Sequence, residues 1–231
     1  MNSPSARTDP APAAFSLDRH QLAFVSPAAW RSALAGRPDF AAAPLVEAWA
    51  RRGWPLISRR PLPGEGAGVP LGLPLPPFAG KRRLCFLMRP EDVLATSAPP
   101  ALAEVLPDAP ISWRATICEL RALASKHAVT VQAFGSLAWR TLTGLDYVTA
   151  SSDLDVLFRV HSRTDLRALA AGVAEIDAVA PMRVDGELVR SSGVAVNWRE
   201  LLGEAREVLV KSTAGVELVD RDRFCDVGGW R

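Results

Sequence analysis

One tyrosine, three cysteines and three histidines are all the 231 residues hold of those types, and each scarcity closes a class of function. Cys85, Cys118 and Cys225 lie far apart, form no C-x-x-C pair and cannot all bridge one another. Free thiols are therefore expected, not a disulfide framework. His20, His127 and His161 are equally scattered, so no cluster of zinc ligands is expected. The 27 basic and 25 acidic residues leave a net charge of only +2. With no basic stripe, and one tyrosine for base stacking, a nucleic-acid binder is not expected. No stretch reaches the roughly 18 uninterrupted apolar residues of a membrane span, and the opening MNSPSARTDPAPAA lacks the apolar core of a secretory signal. The expectation is a cytoplasmic protein without a membrane partner.

Proline, in contrast, is abundant and concentrated in the first half. Residues 1–12 read as a frayed tail and 13–96 as a smaller, proline-rich, irregular accessory domain, with short helices at Pro27–Leu34 and Ala42–Arg51. Pro61–Arg83 reads as extended chain and turns, and Arg82–Met88 as a buried strand. The four prolines of Thr96–Pro110 suggest a linker over 97–110. From 111 to 231 helix and strand signals alternate cleanly. Helices are predicted over Ile111–His127, Leu137–Thr143, Thr164–Val179 (with Ser162 and Asp165 at capping-box spacing) and Trp198–Arg206. Strands are predicted over Ala128–Phe134, Leu154–Val160, Met182–Arg190, Val194–Trp198, Val208–Lys211 and Val216–Val219. The second half is thus a mixed sheet with helices, of α/β or α+β class.

The chemistry is concentrated in Phe134–Arg159. A strand runs into Gly135-Ser136 at the start of a short helix, and Ser152-Asp153-Leu154-Asp155 then opens an apolar strand. Gly135 permits close backbone approach to a phosphate, and Ser136 adds a hydroxyl where helical N–H groups favour an anion. Asp153 and Asp155, two apart on a strand, share a face with Cα atoms about 6.5–7 Å apart. Two such carboxylates suit Mg²⁺ or Mn²⁺, with substrate phosphates completing the oxygen shell. Asp185 competes with Glu187, two residues along, as a third carboxylate, although Asp-Gly is also a hairpin-turn signal. Arg183 is a candidate partner for Asp185. Lys211 and Arg140, and also Lys81, Arg82 and Arg83, are candidate phosphate cations. His20, Trp139 and Trp198 are weaker candidates, core packing being the ordinary role of the two tryptophans.

The hydrophobic-Gly-Ser and Asp-x-Asp pattern resembles the nucleotidyltransferase superfamily with a polymerase-beta-like core, with a wider spacing here, residues 137–152, than that superfamily usually has. Adding Arg183–Val189, Ala195–Leu201 and Val208–Ser212, the sequence resembles the malonate decarboxylase holo-acyl-carrier-protein synthase family of phosphoribosyl-dephospho-CoA transferases. That resemblance implies transfer of the phosphoribosyl-dephospho-CoA group from triphosphoribosyl-dephospho-CoA to a serine of the acyl-carrier protein subunit of malonate decarboxylase, with loss of pyrophosphate. It also implies Asp153, Asp155 and Asp185 as metal-binding catalytic residues and Gly135, Ser136 and Lys211 on the substrate, with Arg140 a further substrate candidate from its place one helical turn beyond Ser136. The alternatives are a nucleotidyltransferase using plain NTPs, or a non-catalytic module that binds a carrier protein.

Overall fold

The computed structural model describes residues 16–37, 40 and 43–226; the expected tail over 1–12 lies outside them. Two sheets organise the chain. The first is a five-stranded antiparallel sheet built from β1 (Leu22–Val25), β2 (Leu56–Ser58), β3 (Val69–Pro74), β4 (Arg83–Met88) and β5 (Val93–Ser97), in the order β4-β3-β2-β1-β5. Helices α1 (Pro27–Ala35) and α2 (Pro44–Arg52) belong to the same half, and Trp30 and Trp49 are buried with the sheet in one core. Both helices carry proline in their first turn, where the missing N–H costs nothing. The region expected to be irregular is therefore a sheet. Strand β4 is buried on one face only, Arg83 and Leu87 being exposed.

The second sheet has six strands in the order β11-β10-β9-β8-β7-β6. They are β6 (Thr130–Ala133), β7 (Leu154–Arg159), β8 (Val184–Val189), β9 (Ala195–Asn197), β10 (Glu207–Lys211) and β11 (Val216–Asp220). Only β7 and β8 run parallel, and the parallel return is made through α5 (Leu166–Val179). Helix α5 is capped by Asp165, whose carboxylate accepts from the Ala168 N–H, in place of the expected Ser162. The remaining helices are α3 (Arg114–Lys126), α4 (Gly135–Thr143), α6 (Trp198–Leu202) and α7 (Arg221–Cys225). Helix α6 stops at Gly203, shorter than its predicted reach to Arg206. The stretch Thr96–Pro110 packs onto this half: Ala101 bridges to Gln132, and Leu102, Val105 and Ala109 are buried in its core.

Strand alternation decides where the chemistry sits. Leu154, Val156 and Phe158 point into the main core with α3 and α5, which leaves Asp153, Asp155 and Leu157 on the opposite face. Register pairs Asp155 with Asp185 and Leu157 with Glu187, so the acidic positions of β8 share that face. This face looks toward the first half. Helix α4 joins the two halves: Leu137 and Ala138 are buried in the second core, whereas Trp139 is buried in the first, 5.5 Å from Trp49. Tyr147 follows it there and donates its hydroxyl to the Pro74 carbonyl at 2.6 Å. No helix among the described residues is long and apolar enough to cross a membrane.

Candidate active site

The carboxylates gather where β7 and β8 begin. Asp155 packs directly against Gly135: a Cβ added to that glycine would lie 1.8 Å from Asp155 Oδ2. Gly135 also has φ +65°, so both space and backbone require glycine. Burial, then the charges of Asp185 and Asp153, push the Asp155 carboxyl up to about 7, against a hydrogen bond from the Ser136 N–H. The helix N-terminus expected to receive a phosphate thus holds Asp155 as well. The Ser136 hydroxyl is buried and has no hydrogen-bond partner among the described residues, which leaves it free for a ligand.

Asp185 is oriented by residues that sequence reasoning did not single out. Asn197 donates through Nδ2 to Asp185 Oδ1 at 2.7 Å while its own Oδ1 caps α6 at the Arg199 N–H. An Asn after an apolar strand and before W-R-E-L is a helix-cap signal, and that was the one clue available. Arg199 lies 3.8 Å from Asp185, is fixed by Asp177 and the Val184 carbonyl, and covers the Trp198 ring. Arg183 reaches both Asp185, at 3.6 Å, and Asp153, at 4.0 Å.

Glu187, the competing third carboxylate, is engaged elsewhere. It is buried among Arg19, His20 and Lys211, with Arg19 Nη1 at 3.0 Å and Lys211 Nζ at 2.9 Å. Burial alone would raise its pKa, but the hydrogen bonds from His20, Arg19 and Lys211 outweigh it and hold the group well below the usual carboxylate range. Burial lowers the His20 pKa despite Glu187 beside it. Lys211, a candidate phosphate ligand, therefore spends its charge on Glu187. Arg140 sits on α4 but lines neither of the clefts over Asp155. Trp198 is core, its indole N–H donating to the Val184 carbonyl at 3.2 Å.

Two clefts meet over Gly135, Trp139, Asp155 and Arg83. The smaller, of about 360 Å³, is lined by Asp153, Ser136, Ser152, Lys81, Arg82 and Arg83. The larger, of about 770 Å³, lies between the sheets and includes Arg19, His20, Arg59 and Arg60. Among the described residues no three His, Cys, Asp or Glu side chains are closed on a common metal position; Arg183 stands between Asp153 and Asp185 in that role. Asp185 and Asp153 both push the Asp155 carboxyl up, so negative charge accumulates at this point of the second sheet. The Arg183 side chain is more than half exposed.

Residues 101–222 match the family model of the phosphoribosyl-dephospho-CoA transferase MdcG C-terminal domain, and residues 18–99 that of its N-terminal domain. The chain is 50% identical over 224 residues to a phosphoribosyl-dephospho-CoA transferase of Bradyrhizobium diazoefficiens, covering 97% of each. It is 38% identical to the one from Xanthomonas euvesicatoria, covering 88% of this chain and 94% of the relative. The Pseudomonas putida protein of that name is 37% identical, over 82% of this chain and 90% of its own length. No solved structure matches significantly.

Proposed function

The chain belongs to the phosphoribosyl-dephospho-CoA transferase family, and from that membership we propose that it loads a carrier protein using a nucleotidyltransferase-like core. The donor is triphosphoribosyl-dephospho-CoA and the acceptor a serine on the apo acyl-carrier subunit of malonate decarboxylase. The serine oxygen forms a bond to the α-phosphorus, the bond from that phosphorus to its bridging oxygen breaks, pyrophosphate leaves, and the serine proton passes to water. The product is a phosphodiester.

The observation that supports this reading is that Asp153 and Asp155 line a cleft that also carries Lys81, Arg82 and Arg83, with Asp185 paired to Asp155 across β7 and β8. Asp153, Asp155 and Asp185 would hold Mg²⁺ or Mn²⁺, which when bound supplies charge neutralisation to the phosphates and lowers the pKa of the attacking hydroxyl. The chain's own residues do the rest. Gly135 lets Asp155 reach the reaction centre, Asn197 fixes Asp185, and the free Ser136 hydroxyl is placed to donate to a phosphate oxygen. Lys81 and Arg82, which have no ion-pair partner among the described residues, would meet the departing pyrophosphate, with Arg83 at the junction of the two clefts.

The test is pyrophosphate release with apo carrier and Mg²⁺, for the wild type and for Asp153→Asn and Asp155→Asn. Loss of at least a thousandfold in both variants, with circular dichroism unchanged, is expected. Full activity in either variant contradicts the three-carboxylate centre, and turnover with ATP in place of the donor favours an NTP-using enzyme.

A further inference from the structure

The reaction proposed above accounts for the point where the clefts meet but leaves most of the larger one unexplained. That cleft is built chiefly by the first half of the chain. Of its cations, Arg19 is neutralised by Glu187 and Arg59 by Glu65. Arg60 and Arg83 are exposed and have no carboxylate partner among the described residues. Arg60 reaches across to the second half only through a 3.2 Å hydrogen bond to the Ser212 carbonyl. The same lining holds the apolar side chains of Leu17, Ile57, Val69, Pro70 and Trp139. Asp155, at the junction, is the one carboxylate in the lining.

A complementary ligand carries negative charge for Arg60 and Arg83 together with apolar or neutral parts for the rest of the lining. The volume, about 770 Å³, is that of a small-molecule site and not of a bare phosphate. The smaller cleft has less than half the room and adds Lys81, Arg82 and the hydroxyls of Ser136 and Ser152. The geometry points to the first half as the donor-recognition element: the larger cleft takes the dephospho-CoA portion, with Arg60 and Arg83 on its diphosphate, and the smaller takes the pyrophosphate. Arg83, which lines both, stands where the two meet. The assignment rests on the transferase reading for the identity of the ligand, and goes beyond it in naming the residues that select it.

The experiment is calorimetric titration of the full chain with dephospho-CoA itself, which has no triphosphate to transfer. Arg60→Ala is expected to weaken binding about tenfold, as loss of a charge-assisted hydrogen bond does, and Arg60→Ala/Arg83→Ala about a hundredfold. Melting temperature should stay near wild type, both side chains being exposed. Asp153→Asn, which lies outside the larger cleft, should lose transfer and keep its affinity for dephospho-CoA. Absence of binding by the wild type, or unchanged affinity in the double variant, overturns the assignment. So does a double variant that loses affinity for the apo carrier and keeps it for dephospho-CoA, since the carrier would then occupy the cleft. If transfer to the carrier is never seen while dephospho-CoA binding depends on Arg60 and Arg83, the cleft stands and the reaction falls.

Discussion

Asp155 is held where its own charge is unfavourable. Its carboxyl is raised to about 7, by burial first and then by Asp185 and Asp153, whereas in an unfolded chain it titrates near 3.8. Between those values the folded state binds more protons, so this group's contribution falls as pH rises through the window and stays unfavourable above it. In EDTA, Asp155→Asn should therefore be more stable than wild type at pH 8, by on the order of a few kcal/mol, with the gain vanishing below about pH 4. Denaturant melts at the two pH values measure it; equal stability at pH 8 would show that the carboxylate is not strained. Mg²⁺ should raise the melting temperature of the wild type and leave Asp155→Asn unmoved. Gly135→Ala is a second residue-scale test. With φ +65° and Asp155 Oδ2 1.8 Å from the new methyl, it should cost about 1–3 kcal/mol of stability and at least a hundredfold in activity, read by urea melts and pyrophosphate release.

At the scale of elements, the segment before β1 is fastened to β8 and β10 through Glu187, which receives Arg19 and Lys211 together. Glu187→Gln leaves two partly buried cations without a countercharge and should cost about 3–5 kcal/mol at pH 7. Because the Glu187 pKa is depressed on folding, that stability is present above its unfolded value and is lost as pH falls. The gap between variant and wild type should narrow as pH falls below the unfolded carboxyl's range; chemical denaturation at pH 7 and at pH 3 reads the change. The site elements were legible: Phe134-Gly135-Ser136 announces a strand entering a helix, and the D-L-D alternation puts both aspartates on one face whatever the rest of the fold. Asp185 emerged once Asp185-Gly186 lay inside β8, the turn falling at residues 191–193. What stayed hidden needs tertiary pairing. Lys211 reads as a cation at a strand end, and nothing local shows that Glu187 awaits it. The first sheet was hidden for another reason. Pro70 and Pro74 in β3 read as breakers, yet β2 is three residues long and pairs only with Leu71 and Gly72, so the missing N–H groups are tolerated.

At the scale of the whole molecule, the two halves share α4, whose Trp139 is 4% exposed in the core of the first half while Leu137 is buried in that of the second. A single cooperative unfolding transition is expected by calorimetry. Trp139→Ala should destabilise by about 3–5 kcal/mol; a large loss confined to one of two resolved transitions would show that the halves fold independently. The same join brings Asp153 and Asp155 of the second half and Lys81, Arg82 and Arg83 of the first into the lining of one cleft. The most direct test of the account is the intact mass of the apo carrier after incubation with the protein, Mg²⁺ and triphosphoribosyl-dephospho-CoA. A gain of one phosphoribosyl-dephospho-CoA group on a serine, abolished by EDTA and by Asp155→Asn, is the expected result. An unmodified carrier with the folded protein and intact donor present would contradict it.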